Sequence, residues 1–139
     1  MIQFFYALTM AALAGLSVWT VPATANDATV VAGSEVARIA TLRNVAIKDG
    51  EVTAEVVNNS SDTLRDVVVQ IRYSWRWADE FHPGKDDPGR TVYHTVAKEI
   101  PPGGSARFEY KPSPPLPARR DGHFVIDVKI AGFERVYYR

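Results

Sequence analysis

Several features that commonly reveal a protein's activity are missing from this chain of 139 residues. It has no cysteine, which excludes disulfide bonds, thiol catalysis, cysteine-ligated zinc and an acylated-cysteine membrane anchor. Neither sign of charge is in excess, because 16 Lys and Arg balance 16 Asp and Glu. Nucleic acids and anionic membranes are normally bound by clustered positive charge, so the composition predicts neither as a partner.

The recognisable catalytic motifs are also missing. The sequence contains no Gly-x-Ser-x-Gly elbow, no phosphate-binding loop, no dinucleotide fingerprint and no His-Glu-x-x-His pair. Its length leaves room for one small domain, which is too little for a TIM barrel or a two-domain enzyme. We therefore expect a non-catalytic domain without a cofactor.

The first 26 residues carry no charged side chain, and residues 4–21 form an apolar run rich in helix formers. This run is followed by Pro22 and the small residues Ala23, Thr24 and Ala25. The pattern predicts a signal peptide over residues 1–25 that is cleaved after Ala25, and hence a periplasmic or secreted protein. The alternative is an uncleaved membrane anchor, because Lys and Arg are missing before the apolar run; it would be the protein's one membrane contact.

After this segment we expect a flexible leader over residues 26–35 and a β-sandwich domain over residues 36–139, with no helix. Asp49-Gly50 is typical of a type I′ hairpin turn. Residues 66–77 alternate between apolar and polar side chains, which indicates a strand with one covered face. About seven such strands, the last two over residues 123–130 and 133–139, predict an all-β, antiparallel, immunoglobulin-like sandwich.

A resemblance to a known group rests on residues 50–108. A strand over residues 51–57 ends in Asn58, Asn59 and Ser60, a Leu-x-x-Val-x-Val strand begins at Leu64, and a Pro-Gly corner at residues 101–104 leads to Phe108. This order resembles the small extracytoplasmic β-sandwich domains of bacteria related to the FxLYD group. The resemblance implies the fold and export, and it implies no catalytic residue.

The candidate binding residues are aromatic. Three of them share one face at the end of the strand over residues 66–77, and two flank the loop that follows: Tyr73, Trp75, Trp77, Phe81 and Tyr93. If the strand extends beyond the core, these rings form a platform for a sugar, a peptide or a protein. If it does not, they close the end of the core. The sequence leaves both interpretations open.

Metal binding is the third hypothesis. His82, His94 and His123 are the only side chains whose ordinary pKa lies near neutrality, but their spacing matches no metal-ligand motif. The loop over residues 78–90 has four carboxylates, from Asp79, Glu80, Asp86 and Asp87, without the alternating spacing of an EF-hand. We therefore predict no resident metal.

The sequence thus favours an exported interaction module of the bacterial envelope that binds another envelope protein. It would bind through its sheet edges or through the loops over residues 78–90 and 111–122. The second hypothesis is a carbohydrate- or small-ligand-binding module that uses Trp75 and Trp77.

Overall fold

A computed structural model describes residues 33–137 of the chain. The predicted signal peptide and most of the predicted leader lie outside these described residues. The elements, in chain order, are α1 (Gly33–Ile39), β1 (Ala40–Lys48), β2 (Glu51–Asn58), β3 (Thr63–Trp77), β4 (Arg90–Val96), β5 (Ser105–Tyr110) and β6 (Gly122–Val136). Within residues 33–137 no helix is long and apolar enough to cross a membrane.

The six strands form two antiparallel sheets of three strands each, and this confirms the predicted β-sandwich. One sheet has the order β1-β2-β5, and the other has the order β4-β3-β6. Strand β3 lies at the centre of the second sheet and pairs with β6 from Thr63 opposite Val136 to Trp77 opposite Gly122. The aromatic end of β3 is thereby fixed at the same end of the sheet as the start of β6.

Residues 33–137 form six strands where the sequence predicted about seven. The two strands expected at the C-terminus are a single strand, because β6 continues through Ala131 and Gly132. The pairing with β3 is irregular at this point, since Val69 pairs with Ile130 and Val68 with Gly132, which leaves Ala131 without a partner on β3. A bulge of this kind bends a strand without ending it.

The helix α1 was not predicted at all. Its seven residues are too few to produce a helical period in the sequence, and two of them, Val36 and Ile39, are buried. Packing against the sandwich rather than intrinsic propensity therefore stabilises this helix, as is usual for a segment of two turns.

The core follows the alternation that the sequence shows. In β3 the inward-facing residues Val67, Val69 and Ile71 are fully buried. In β2 the burial alternates strictly from Glu51 to Asn58, with every second residue buried. A strand with one face against a core and one face in water has this pattern, so both strands lie between solvent and the opposite sheet.

A turn and a tyrosine join the two sheets. Asp49 and Gly50 have φ angles of 51° and 83°, which confirms the predicted type I′ turn between β1 and β2. The Tyr73 hydroxyl, on the other sheet, donates a hydrogen bond of 2.8 Å to the Gly50 carbonyl oxygen. Gly50 is close to its neighbours, since a Cβ there would lie 2.6 Å from a Leu116 methyl group. Substitution of Gly50 would therefore be costly.

At the opposite end of the sandwich, the turn after β2 is built around a buried amide. Asn58 is fully buried, and its Nδ2 donates to the carbonyl oxygens of Asp62 and Ile100 at 2.7 and 3.0 Å. Its Oδ1 accepts from the backbone N–H and the hydroxyl of Ser60. One side chain thus bonds both to the turn, at Ser60 and Asp62, and to the distant Ile100 carbonyl oxygen.

Candidate functional site: the aromatic loop and its brace

The segment between β3 and β4, residues 78–89, is here called the aromatic loop. It begins directly after the last aromatic residue of β3 and ends where Arg90 starts β4. The prediction of a loop over residues 78–90 therefore holds except for its last residue. Because β3 ends beside the start of β6, the loop emerges next to the segment that leads into β6.

Two indole rings lie beneath this loop. Trp75 and Trp77 are in edge-to-face contact, with ring centroids 6.1 Å apart and planes at 84°. Trp75 is buried and also contacts the Phe124 ring of β6 at 4.8 Å. Trp77 is half-buried. Of the two interpretations that the sequence left open, Trp75 fits core closure, and only Trp77 retains accessible surface.

Arg119 covers both indoles. Its guanidinium carbon lies 5.3 Å from the Trp75 ring centroid and 5.3 Å from that of Trp77. The same guanidinium donates to the Asp121 carboxylate and, at 2.7 Å, to the Asp86 carbonyl oxygen. Through these contacts Arg119 links the indoles, the segment before β6 and the aromatic loop.

The sequence did not indicate this role for Arg119. Arg72 and Arg76, which lie on the same strand as the indoles, are exposed on the outer face of their sheet. An arginine two residues before an aspartate in a proline-rich segment was the only available signal.

Two further contacts brace the aromatic loop. Gly84 packs on the Trp77 ring so closely that a Cβ there would lie 2.7 Å from a ring carbon. The Ala78 N–H donates to the Asp121 carbonyl oxygen at 2.9 Å, which continues the pairing of β3 with β6 into the loop. The loop is thus attached at its start and at its middle.

At its tip the aromatic loop displays Phe81, which is 92% exposed. The backbone that carries Phe81 is fixed by Asp79, whose Oδ1 accepts the Phe81 N–H at 3.0 Å and whose Oδ2 contacts His82 Nδ1 at 2.8 Å. An Asp that bonds the backbone two residues ahead is a standard turn-forming device. A large apolar ring is therefore held in solvent by an ordered turn.

The surroundings of Phe81 are acidic. Asp79 and Glu80 precede it, Asp86 and Asp87 follow at the end of the loop, and Lys85 is the one cation between them. Behind the loop, the hydrogen bond from Arg119 lowers the pKa of the Asp121 carboxyl group, and the two side chains form an ion pair. The loop sequence therefore combines one exposed apolar ring with four carboxylates, of which Asp79 contacts His82.

The remaining predicted aromatic residues lie elsewhere. Tyr73 is buried, and burial is the main reason that its pKa rises to about 12. Tyr93 is 64% exposed on β4, where its hydroxyl accepts a hydrogen bond of 2.9 Å from Gln70. Tyr93 pairs with Gln70 in the middle of the sheet, away from the loop at its end. The structure thus brings Trp75, Trp77 and Phe81 to one end and leaves Tyr93 apart.

These contacts also affect the hypothesis that Trp75 and Trp77 bind a sugar. Stacking of a sugar on an aromatic side chain requires an open ring face. The Trp75 ring is buried, and Arg119 and Gly84 lie against the Trp77 ring. To stack on the ring faces that Arg119 covers, a sugar would have to displace its guanidinium together with the bonds to Asp121 and Asp86.

The three histidines are separated. His82 lies in the aromatic loop, His94 faces inward on β4 against the rings of Phe108 and Tyr110, and His123 is the second residue of β6, opposite Arg76. Across residues 33–137, no group of three or more His, Asp or Glu side chains is arranged to hold a metal ion. This includes the acidic loop that we considered for calcium.

No family model, curated protein or solved structure matches this chain.

Proposed function

We propose that this chain is an exported, non-catalytic domain that binds another protein of the bacterial envelope through the aromatic loop. The observation that carries the proposal is the 92% exposure of Phe81 on a loop that Arg119 and Asp79 hold in place. Large aromatic side chains dominate protein interfaces, and an anchor that is ordered before binding loses little entropy on association.

The partner that fits this surface is a protein with an apolar pocket bordered by Lys or Arg. Phe81 would fill the pocket, while Asp79, Glu80 and the Asp86-Asp87 pair would face the basic border. Charge of this kind steers association and becomes weaker as salt screens it. An anionic membrane surface is disfavoured, because the same carboxylates would be repelled from it.

We also propose that the protein is exported and that its sandwich is immunoglobulin-like. The apolar run over residues 4–21 supports export, and the resemblance to FxLYD-related domains supports an extracytoplasmic sandwich. We propose an immunoglobulin-like strand arrangement, because β3 is flanked by β4 and β6 in one sheet while β2 is flanked by β1 and β5 in the other. In this arrangement the position beside β6 is that of a seventh strand.

Site-specific photocrosslinking in intact cells tests the proposal. A photoreactive phenylalanine analogue is placed at Phe81 in one strain and at Tyr93 in another, since both positions carry exposed aromatic rings. We expect one discrete crosslinked product from position 81 and none from position 93. Equal crosslinking at the two positions, or none at position 81, would contradict the proposal.

A substitution provides the second arm. Phe81→Ala should abolish co-purification of the crosslinked partner while changing the free energy of unfolding by less than about 0.5 kcal/mol, because an exposed ring contributes little to folding. Tyr93→Ala is the matched control and should leave the partner bound. Loss of binding in both variants, or in neither, would reject Phe81 as the anchor.

A further inference from the structure

Among residues 33–137, no other strand pairs with the outer edge of β6, although α1 contacts β6 and Glu35 Oε1 lies 3.9 Å from Arg135 Nη1. β6 has 15 residues and pairs with β3 along one side. No backbone hydrogen bond among residues 33–137 involves its other side, beyond the ladder with β3. Free edges of this length favour pairing with another strand unless they are protected.

The apolar side chains along this edge are only partly covered. The inward-facing residues of β6 pack on the core yet remain half-buried: Phe124, Ile126, Val128 and Ile130. On the neighbouring edge strand β1, Val45 and Ile47 are 46% and 43% exposed. The flank between β1 and β6 therefore carries apolar side chains that remain partly exposed.

A groove of about 430 Å³ lies between α1, the start of β1 and the middle of β6, where it reaches Lys129 and Ile130. It is lined by Val36, Ala37, Leu42, Lys129 and Ile130, among others. The groove reaches the β6 residues that a strand paired with the middle of β6 would cover.

From the charges on β6 we infer that its edge partner is β6 of a second copy of this chain, in an antiparallel pairing centred on Val128. On the outer face of β6 the only acidic and basic side chains between residues 122 and 131 are Asp127 and Lys129. With Val128 opposite itself, each Asp127 faces Lys129 of the other copy, so the two-fold axis creates two opposite-charge pairs. Cross-strand pairs of opposite charge stabilise a sheet, and like charges directly opposite destabilise it.

Neighbouring registers fail this test. A shift by one residue would turn the apolar face of one strand toward the polar face of the other. A shift that keeps the faces aligned places either Asp127 opposite Asp127 or Lys129 opposite Lys129. The register centred on Val128 also places Ile126 opposite Ile130, so apolar side chains meet on the inner face. Regular pairing covers residues 126–130, because the irregularity of β6 at residues 130–132 follows.

The dimer surface is separate from the aromatic loop, so this inference stands independently of the proposed function. It predicts a weak homodimer, since five paired residues on each strand form a small interface. In the dimer, the two β4-β3-β6 sheets would join into one sheet of six strands, with the order β4-β3-β6-β6-β3-β4.

Sedimentation measurements with charge variants test the pairing, using the protein purified after expression of the full chain. The wild type should show a monomer–dimer equilibrium at the highest concentrations. D127K and K129D should each dimerise about tenfold more weakly, because each homodimer opposes like charges twice. An equimolar mixture of D127K and K129D should regain wild-type association, because the mixed pair opposes unlike charges. Lys98→Asp, outside the strands, is the matched control and should behave as the wild type.

Disulfide trapping gives a second readout in this cysteine-free chain. Val128→Cys places the thiols of the two copies opposite each other at the axis, so oxidation should give a covalent dimer. Val125→Cys, on the same strand, would place its two thiols about 20 Å apart along the ladder and should not crosslink. A wild type that stays monomeric at every concentration, charge variants that dimerise unchanged, or equal crosslinking at the two positions would overturn the inference. The first of these results is also the one expected if another segment or another protein occupies the edge.

Discussion

The two ends of the sandwich are built differently. At one end the buried Asn58 amide bonds to the carbonyl oxygens of Asp62, Ile100 and Pro101, and a turn closes around it. At the other end, Arg119 covers two indole rings and a loop displays Phe81 to solvent. At the Asn58 end the polar groups point inward, whereas at the aromatic end the polar contacts hold an exposed loop in place.

This difference separates a stability role from a contact role. Hydrogen bonds of the Asn58 end are buried, so their loss leaves groups without partners in the core. The contacts of Arg119 are partly exposed, so water can replace them when they are lost, at a lower cost in free energy. Substitutions at the Asn58 end should therefore mainly lower the free energy of unfolding, and substitutions of Arg119 should mainly reduce the order of the loop.

Asn58→Ala should cause the largest loss of stability. It removes a fully buried amide and leaves the Ile100 and Pro101 carbonyl oxygens without this donor, which corresponds to about 3 kcal/mol in the free energy of unfolding. Urea unfolding followed by circular dichroism measures the change. Asn59→Ala is the control from the next position, where the exposed amide donates to the Thr41 hydroxyl; it should cost less than about 1 kcal/mol. Equal losses for the two variants would show that the buried amide does not organise this end.

The tyrosine that joins the sheets predicts an alkaline transition. Burial raises the pKa of Tyr73 to about 12 from an ordinary value of 10. A raised folded-state pKa means that the neutral hydroxyl stabilises the fold. This contribution is complete below pH 10 and is lost as the pH rises through 12, by about 3 kcal/mol in total.

Unfolding free energies measured from pH 8 to pH 12 test this prediction against Tyr73→Phe. The variant lacks the hydrogen bond to Gly50 and should be about 1 kcal/mol less stable at neutral pH. It should also lose less stability than the wild type above pH 10. Parallel curves for the two proteins would rule out titration of Tyr73 as the cause of the alkaline loss.

Arg119→Ala should have a smaller effect on unfolding and a clear effect on the loop. The variant loses two cation–π contacts and the hydrogen bond to Asp86, which together contribute about 1 kcal/mol at a partly exposed site. Tryptophan emission should shift to the red and become easier to quench as Trp77 is uncovered. The neighbouring Arg120→Ala should change neither property; a shift of the same size in both variants would remove the specific role of Arg119.

Local patterns in the sequence predicted much of the fold and less of the site. Asp49-Gly50 identified the first hairpin, and the alternation from Val67 to Trp77 identified β3, because a turn type and a strand face are encoded by adjacent residues. Gly132 was misinterpreted as a strand end, because the pairing that carries β6 through it involves residues of β3 that are distant in sequence.

The contacts of Arg119 with the indoles could not be predicted for the same reason. Arg119 reaches Trp75 and Trp77 only because the end of β3 lies beside the start of β6. No local pattern places an arginine from one loop on the rings of another strand. Asn58 was recognised as a turn residue, but its complete burial depends on the distant carbonyl oxygens of Ile100 and Pro101.

The central claim is that the aromatic loop is ordered before any partner binds. Backbone ¹⁵N relaxation of the free protein tests this claim most directly, at the amides of Phe81 and Gly84. The account predicts order parameters close to the rigid-backbone value of about 0.85 for both, and a fall at Gly84 in Arg119→Ala. Values below about 0.6 at these amides in the wild type would contradict it, because Phe81 would then be carried by a flexible loop.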